Sequence, residues 1–299
     1  MRTMQFLFTN IYGLLRTLRP RQWVKNVFVF AALVFDQKLT NGLLLGKTIL
    51  AFVLFCMISS TVYIINDLAD VEKDKLHPKK RRRALPSGQL KPWFAILAAV
   101  GILAVCLPFS FWLNPYFGAI VLGYFLLNVA YSFALKHIVI VDVMVVAAGF
   151  VLRVAAGAPV AEARVSPWLY MCMTFLALFM AIGKRRQELI LLAGGAESTR
   201  KTLNEYTVEF IDEMINLVTT GAVISYSLYT FSAPNLPSNH MMMLTIPFVI
   251  YGIFRYQYLV HVKGEGEAPE MLLYTDMPLL LDVILCGIAI VLIMYILNP

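Results

Sequence analysis

The sequence predicts an all-α protein that crosses a membrane as a polytopic bundle of about nine helices, and three observations indicate this class. Hydrophobic residues make up 60% of the 299-residue chain and charged residues only 14%, a balance that soluble domains of this size do not show. The mean hydropathy is correspondingly high, at +0.73. The apolar stretches are about twenty residues long and lack the alternation of barrel strands, so they suit membrane helices.

The apolar stretches follow one another along the chain, and two of the connections between them, residues 67–92 and 185–212, are long. The first is bounded by polar residues, with Lys25 and Asn26 at its start and Asp36 and Lys38 near its end. We expect the whole chain, residues 1–299, to form a single integral membrane domain. The expected spans are residues 23–41, 47–66, 93–112, 116–135, 138–157, 167–184, 213–232, 242–260 and 277–297.

The 25 Lys and Arg residues are divided unevenly between the two sets of alternate connections. Most of them lie before the first span, in residues 67–92, in residues 184–212 and after the eighth span, whereas Lys38, Lys47 and Arg164 lie on the other side. Because basic connections stay in the cytoplasm, we expect an inner-membrane protein with its N terminus inside and its C terminus outside. No comparable basic surface remains for nucleic acid, which excludes that class of partner.

The polar stretch after the second span carries the clearest chemical pattern. Asp67, Asp70 and Asp74 are separated by steps of three and four residues, so one face of a helix end presents all three carboxylates. Crowded carboxylates suit a hard cation such as Mg²⁺, which completes its shell with substrate phosphates. The basic run from Lys79 to Arg83 follows closely and suits phosphate oxygens. The pattern predicts a diphosphate site at a membrane surface, and a charged loop that only fixes the topology is the alternative.

Other polar residues occupy connections on the same predicted side, and such groups at the helix ends of a bundle can converge on one pocket. We therefore expect an active site at the cytoplasmic face. Asn66 is expected to orient the aspartates, whereas Arg153, within a span, is expected to be a buried structural charge. The amphipathic residues 185–212 are expected to lie along the membrane interface, either covering the site or serving only as a connection between two spans. The candidate substrate contacts beside the aspartates are Lys25, Asn66, Arg83, Tyr131, Lys136, Lys184, Arg185 and Glu188.

Residues 66–74, which read Asn-Asp-Leu-Ala-Asp-Val-Glu-Lys-Asp, carry a family resemblance. They resemble the N-D-x-x-D-x-x-x-D motif of the UbiA superfamily of intramembrane prenyltransferases, and their place after the second of nine spans is similar to that fold. The resemblance covers nearly the whole chain. It implies a UbiA-like bundle in which Asp67, Asp70 and Asp74 bind Mg²⁺ and the diphosphate of a substrate.

One segment departs from the pattern of the aromatic prenyltransferases of that superfamily. Those enzymes carry a second aspartate-rich motif after the sixth span, whereas residues 183–188 here read Gly-Lys-Arg-Arg-Gln-Glu. Together with residues 19–26 (RPRQWVKN), 131–137 (YSFALKH) and 153–157 (RVAAG), this segment is similar to one branch, the decaprenyl-phosphate phosphoribosyltransferases. The resemblance implies transfer of 5-phosphoribose from 5-phosphoribosyl 1-diphosphate to a polyprenyl phosphate, for the synthesis of cell-wall arabinan precursors.

The charges of the sequence suit two phosphate-rich substrates, and two alternatives stay open. An aromatic or quinone-type prenyltransferase would share the first aspartate motif but would need the second. A transporter for an anionic solute would be expected to show internal repeats and polar residues at mid-membrane. The phosphoribosyl transfer needs no general base, since a phosphate acceptor is already an anion, and His77 and His137 are expected to be connection residues. A homo-oligomer is compatible with the sequence.

Overall fold

The computed structural model of the chain describes residues 2–76, 80–193, 201–264, 272 and 275–297. His77 and Lys79 of the predicted basic stretch and residues 194–200 of the predicted interfacial segment lie outside these ranges. Within the described ranges the regular structure is helical and contains no strand, so the all-α prediction is confirmed.

Eleven α-helices are described, and short 3₁₀ segments connect several of them. The 3₁₀ segments are Pro20–Phe30, Lys80–Arg82, Leu135–His137, Lys201–Glu205 and Met241–Thr245. The α-helices are α1 Arg2–Thr17, α2 Ala31–Phe35, α3 Gly42–Ala69, α4 Val71–Leu76, α5 Pro92–Leu113, α6 Pro115–Phe133, α7 Val141–Val160, α8 Pro167–Ala193, α9 Val208–Ser232, α10 Ile246–His261 and α11 Met277–Tyr295.

Among the described residues, seven helical stretches are long and apolar enough to cross a membrane. They are α3, α5, α6, α7, α8, the combined stretch Met241–His261 and α11, and each coincides with a predicted span. α9 contains the predicted span 213–232 but is not among the seven, and it carries several Ser and Thr residues. Their hydroxyls donate to backbone carbonyls one turn earlier, as from Thr219 to Ile215 and from Ser225 to Gly221, so the polar groups are satisfied within the helix.

The predicted first span, residues 23–41, is not one continuous α-helix. The chain forms the 3₁₀ segment Pro20–Phe30 and then the five-residue α2. Tertiary contacts explain the difference, because the buried Asn26 amide donates to Ser59 and accepts from Arg153, and the Trp23 indole donates to Ser60. Side-chain partners on other helices thus hold this segment in a geometry that apolar periodicity does not encode.

The helix boundaries follow local capping rules. The Asn41 side chain accepts from the backbone N–H groups of Leu43 and Leu44 at the start of α3, and Asn114 does the same for the start of α6. Proline occupies the first helical position of α5 and α6, where its missing N–H has no intrahelical partner to lose. The Asn114-Pro115 pair therefore ends one span and begins the next within a single turn.

The described chain divides into two compact units. The first comprises Met1–Ala31, Asn41–Leu135 and Leu152–Glu162. Its core is built from buried residues of α3, α6 and the end of α7, among them Phe55 and Phe117. Gly157 is required in this core, because a Cβ added there would lie 1.9 Å from the carbonyl oxygen of Val29. The 3₁₀ segment therefore packs directly against the backbone of α7.

The second unit comprises Ala32–Thr40, Lys136–Val151 and Ala163–Pro299. Its largest apolar cluster includes Phe179, Ile215 and Tyr256 of α8, α9 and α10. Arg255 near the end of α10 forms two contacts with the carboxylate of Asp276, at 3.0 and 2.8 Å. Hydrogen bonding from this guanidinium holds the pKa of Asp276 below its usual range. The same carboxylate accepts from the Leu279 N–H and so caps α11.

Candidate active site

The aspartate motif lies where α3 ends and α4 begins, in the first unit. Asn66 and Asp67 belong to the last turn of α3, Asp70 caps that helix, and Asp74 lies in α4. The Asp70 N–H donates to the Asn66 carbonyl and the Asp74 N–H to the Asp70 carbonyl, so the helical path continues across the junction. The Asp67 and Asp74 residues are 3% exposed, which is rare for carboxylates unless they are paired.

Two arginines provide that pairing. The Arg83 Nη1 atom lies 3.2 Å from Asp67 Oδ1 and 2.6 Å from Asp74 Oδ2. The Arg19 Nη2 atom lies 2.5 Å from Asp67 Oδ1. The two carboxylate side chains are each 4% exposed, whereas those of Arg19 and Arg83 are 28% and 31% exposed. The guanidinium groups thus cover the carboxylates and remain partly accessible themselves.

Arg19 is held in place through its backbone and its ring contact. It adopts a left-handed conformation with φ 51°, directly before the 3₁₀ segment. Its guanidinium carbon lies 4.9 Å from the ring centroid of Tyr63 on α3. The preceding residue, Leu18, accepts through its carbonyl from the Ser60 hydroxyl, which in turn accepts from the Trp23 indole. These bonds fix the residues on both sides of Arg19 against α3.

Arg83 is held by a packed connection between α4 and α5. Its N–H donates to the Lys80 carbonyl and so closes the 3₁₀ turn of the basic run. The residues that follow, including Ala84, Leu85 and Leu90, are buried in an apolar cluster with Ile64 of α3. The residues that follow Arg83 are therefore part of the core, and they hold Arg83 where its guanidinium contacts the aspartates.

α1 supports the same connection from its other side. Arg16 donates to the Gln89 side chain at 2.8 Å and to the Arg82 carbonyl at 3.2 Å. The Asn10 side chain accepts from the Lys91 N–H just before α5. The N-terminal helix thus braces the basic connection that carries Arg83.

Two further predicted contacts belong to the first unit. Lys25 is half-buried in the 3₁₀ segment, and Tyr131 is half-buried in the last turn of α6. Arg153 is 5% exposed, as expected for a structural charge. It donates to Asn26 at 2.8 Å and to Tyr124 at 2.9 Å, and its guanidinium carbon lies 4.9 Å from the Tyr124 ring centroid. It therefore connects α7 with α6 and with the segment that carries Lys25.

The second unit contains a separate charged cluster around Arg185. The Arg185 Nε atom lies 3.1 Å from Asp142 Oδ2, an ion pair that is not aligned as a hydrogen bond, and both residues are fully or almost fully buried. Arg185 also pairs with Glu188 one turn later. The Tyr206 hydroxyl donates to Asp142 at 2.9 Å and accepts from the Ile140 N–H at 2.7 Å. Burial raises the pKa of Tyr206 to about 12, so at neutral pH the phenol keeps the proton that it donates.

Residues 183–188 stand in the place of a second acidic motif, and their three cations have different environments. Arg185 is bound to two carboxylates, and Arg186 lies 2.7 Å from Asp212. Lys184 is half-buried and makes no hydrogen bond or ion pair within the part of the chain that the structure describes. Lys136, in the 3₁₀ turn before α7, is also half-buried. Of the cations in residues 183–188, Lys184 is the one available to a phosphate.

The donor set of the aspartate pair fits a magnesium ion. Among the described residues, no group of three Asp, Glu, His or Cys side chains gathers as a ready metal cluster. Mg²⁺, however, is normally held by one or two carboxylates together with substrate phosphates and water. Asp67 and Asp74 supply two carboxylates that already converge on one cationic atom of Arg83.

Arg19 is the residue of this site that sequence reasoning did not select. Arg19 belongs to the RPRQWVKN segment, whose polar residues are expected near the site, but it is not among the candidate substrate contacts that the sequence indicates. Its carboxylate partner lies 48 positions away in the chain, and no local spacing indicates such a contact. The one feature of the sequence that could have indicated this role of Arg19 is its place beside a proline at the start of a polar motif.

Comparisons with known proteins identify the family and the fold of the chain. The model of the UbiA prenyltransferase family matches residues 26–275. The decaprenyl-phosphate phosphoribosyltransferase of Mycolicibacterium smegmatis is 36% identical over 281 residues, which cover 88% of this chain and 86% of the relative. The protein of the same name from Corynebacterium glutamicum is 34% identical over 274 residues, which cover 88% and 81%. The solved structure of a UbiA homologue from Archaeoglobus fulgidus bound to GPP and Mg²⁺ matches with a TM-score of 0.74 at 21% identity, covering 95% of this chain and 100% of that one.

Proposed function

Because this chain belongs to the UbiA prenyltransferase family, we propose that it is a membrane phosphoribosyltransferase, which moves 5-phosphoribose from 5-phosphoribosyl 1-diphosphate to a polyprenyl phosphate. The observation that carries this choice within the family is the cationic segment 183–188, in the place where prenyl-diphosphate enzymes carry acids. Its Lys184 ammonium has no carboxylate partner among the described residues. A segment of this kind suits substrates that bring more phosphate than one diphosphate does.

The leaving diphosphate of the donor is assigned to the aspartate site. Asp67 and Asp74, with Asp70 beside them, would hold Mg²⁺, which supplies charge neutralisation for the departing diphosphate. Asn66, in the last turn of the same helix, is assigned to orienting the aspartates. The accessible guanidinium groups of Arg19 and Arg83 lie over the carboxylates and are placed to bind diphosphate oxygens.

The transfer itself breaks one bond and forms one bond at C1 of the ribose. The bond from C1 to the diphosphate oxygen breaks and leaves its electron pair on the diphosphate, so C1 acquires oxocarbenium character. An oxygen of the acceptor phosphate then supplies the pair for the new bond to C1. Since that phosphate is already an anion, no side chain has to remove a proton, and the residues act by binding and charge stabilisation.

The remaining candidate residues are assigned to the other two phosphates and to positioning. Lys25, Lys136 and Lys184 are the proposed ligands of the donor 5-phosphate and the acceptor phosphate, and Tyr131 is a proposed substrate contact. Arg185 and Glu188 are positioning residues, because their charges are engaged with each other and, for Arg185, with Asp142.

The chain is a multi-pass membrane protein, and we assign it to the inner membrane with these polar groups at the cytoplasmic face. The distribution of Lys and Arg supports this orientation, with the N terminus inside and the C terminus outside. A water-soluble donor would then reach the site from the cytoplasm, while the acceptor lipid would reach it from the bilayer.

The test uses purified full-length protein in nanodiscs with 5-phosphoribosyl 1-diphosphate labelled in its ribose and decaprenyl phosphate. We expect label in the organic phase with Mg²⁺ and none when the metal is chelated. Asp67→Asn should give no product under the same conditions. Absence of label in the lipid under all metal conditions would overturn the proposed function.

A further inference from the structure

We propose that Arg83 and Arg19 compete with Mg²⁺ for Asp67 and Asp74, so that the metal enters tightly only together with a diphosphate that draws the two guanidinium groups away. This inference rests on the proposed function, since it concerns the same diphosphate site. It adds a coupling between metal and diphosphate and gives Arg19 a part in binding.

The competition follows from shared oxygen atoms. Asp67 Oδ1 is contacted by both arginines, at 2.5 Å by Arg19 and at 3.2 Å by Arg83. Asp74 Oδ2 lies 2.6 Å from the same Nη1 atom of Arg83. Carboxylate oxygens are the ligands that Mg²⁺ takes, so a guanidinium at these distances occupies the place of a metal ion.

The charge balance points the same way. Two guanidinium groups and two carboxylates sum to zero, and the carboxylate side chains are each 4% exposed. A divalent cation added to this neutral group would create an excess of positive charge in a poorly solvated place, which the neighbouring Asp70 offsets only in part and which is costly. An incoming diphosphate removes this excess of positive charge, because its own negative charge compensates both the metal ion and the released arginines.

The exposure of the four side chains gives the order of approach. The guanidinium groups are 28% and 31% exposed, so a diphosphate can contact them while they still cover the aspartates. Their backbones are fixed, since Arg83 closes a turn with Lys80 and the Arg19 carbonyl accepts from the Gln22 N–H. Only the long side chains have to move, and the Tyr63 ring beneath Arg19 retains a contact for that guanidinium.

The experiment measures Mg²⁺ binding to the full chain in nanodiscs by calorimetry, first with Mg²⁺ alone and then with inorganic diphosphate present. For the native protein we expect weak binding of Mg²⁺ alone and an affinity that diphosphate raises by about 5- to 150-fold, the usual range of coupling between two sites. Arg83→Gln should bind Mg²⁺ alone about tenfold more tightly, which corresponds to about 1.4 kcal/mol, while the enhancement by diphosphate falls. Arg19→Gln should shift both quantities in the same directions.

The matched control is Arg82→Gln, which removes the same charge from the neighbouring position, where the side chain is exposed. A general change in local potential would alter Arg82→Gln and Arg83→Gln alike, whereas competition alters only the latter. Mg²⁺ affinity that stays unchanged or falls in both Arg83→Gln and Arg19→Gln overturns the inference. Because these measurements need no ribosyl transfer, an inactive native protein with the predicted metal binding would overturn only the proposed function, and an active one without it only this inference.

Discussion

The Arg83 guanidinium lies 2.6 Å from the Asp74 carboxylate, nine residues earlier in the chain, and the same Nη1 atom also reaches Asp67. One arginine thus joins the two helices that carry the aspartate motif. Since both carboxylates are buried, their charges depend on partners inside the protein. The candidate site is organised as an ion network, which under the proposed function the metal and the diphosphate have to enter.

The Asp74 carboxylate is expected to be essential for transfer. Asp74→Asn removes a proposed metal ligand and a partner of Arg83, so we expect kcat to fall by about a hundredfold or more, as for other losses of transition-state charge stabilisation. The measurement is label transfer to the lipid at saturating donor. Glu72→Gln is the control, since Glu72 lies in the same helix but is exposed and pairs only with Lys75 among the described residues. Near-native turnover of Asp74→Asn would remove Asp74 from the site.

Arg185 and Lys184 are expected to differ in what they affect, although they are neighbours. Arg185→Ala leaves the buried Asp142 carboxylate without its ion pair, and such losses destabilise proteins by about 3–5 kcal/mol. We expect a clearly lower unfolding temperature for this variant in detergent. Lys184→Ala should keep the native unfolding temperature and raise KM for a phosphate-bearing substrate. Equal unfolding temperatures for the two variants would show that the Arg185 cluster does not support the fold.

Tyr206 gives the cluster around Asp142 a dependence on alkaline pH. The pKa of Tyr206 is raised from 10.0 to about 12, chiefly by burial, so the folded state holds the phenolic proton more tightly than the unfolded state. The associated stability is fully present below about pH 10 and is lost as the pH rises through about 12. Unfolding temperatures compared at pH 8 and pH 11 should therefore fall more for the native protein than for Tyr206→Phe. Parallel losses in the two proteins would contradict this role of Tyr206.

Gly157 is expected to tolerate no side chain. Gly157→Ala places a Cβ against the Val29 carbonyl, 1.9 Å away before any adjustment, and overpacking of this kind costs about 1–3 kcal/mol. The variant should unfold at a lower temperature than the native protein. Gly123→Ala in α6 is the control, because a Cβ there has no neighbour within 4 Å. A shift of equal size in both variants would mean that helix substitution itself, and not the contact with Val29, causes the loss.

Particular residues show which parts of this structure the sequence could predict. The spacing of Asp67, Asp70 and Asp74 and the lengths of the apolar stretches are local signals. They were sufficient to predict that the aspartate motif is helical and where seven spans lie. The 3₁₀ course of residues 20–30 depends on Asn26 and its partner Arg153, which lies 127 positions away. Contacts of this range follow from the packing of the helices, which periodicity does not specify.

The same difference between local signals and long-range contacts applies to the candidate site. The position of Arg83 after the aspartates suggested a phosphate ligand, but its contacts with two of those aspartates could not be inferred from its place in a basic run. Arg185 was likewise expected to bind phosphate, whereas in the structure Asp142, 43 positions earlier in the sequence, is its buried partner. Charge composition indicates that cations are needed, and the tertiary structure decides which of them are already engaged.

The central claim, that this chain transfers phosphoribose and not a prenyl group, is tested most directly by offering both reactions to one preparation. Purified protein with Mg²⁺ receives either 5-phosphoribosyl 1-diphosphate with decaprenyl phosphate or a prenyl diphosphate with 4-hydroxybenzoate, and the lipid products are identified by mass. We predict a phosphoribosylated polyprenyl phosphate in the first mixture and no prenylated aromatic in the second. A prenylated aromatic without any ribosyl transfer would contradict the assignment and would mean that Lys184 and its neighbours do not determine the substrate.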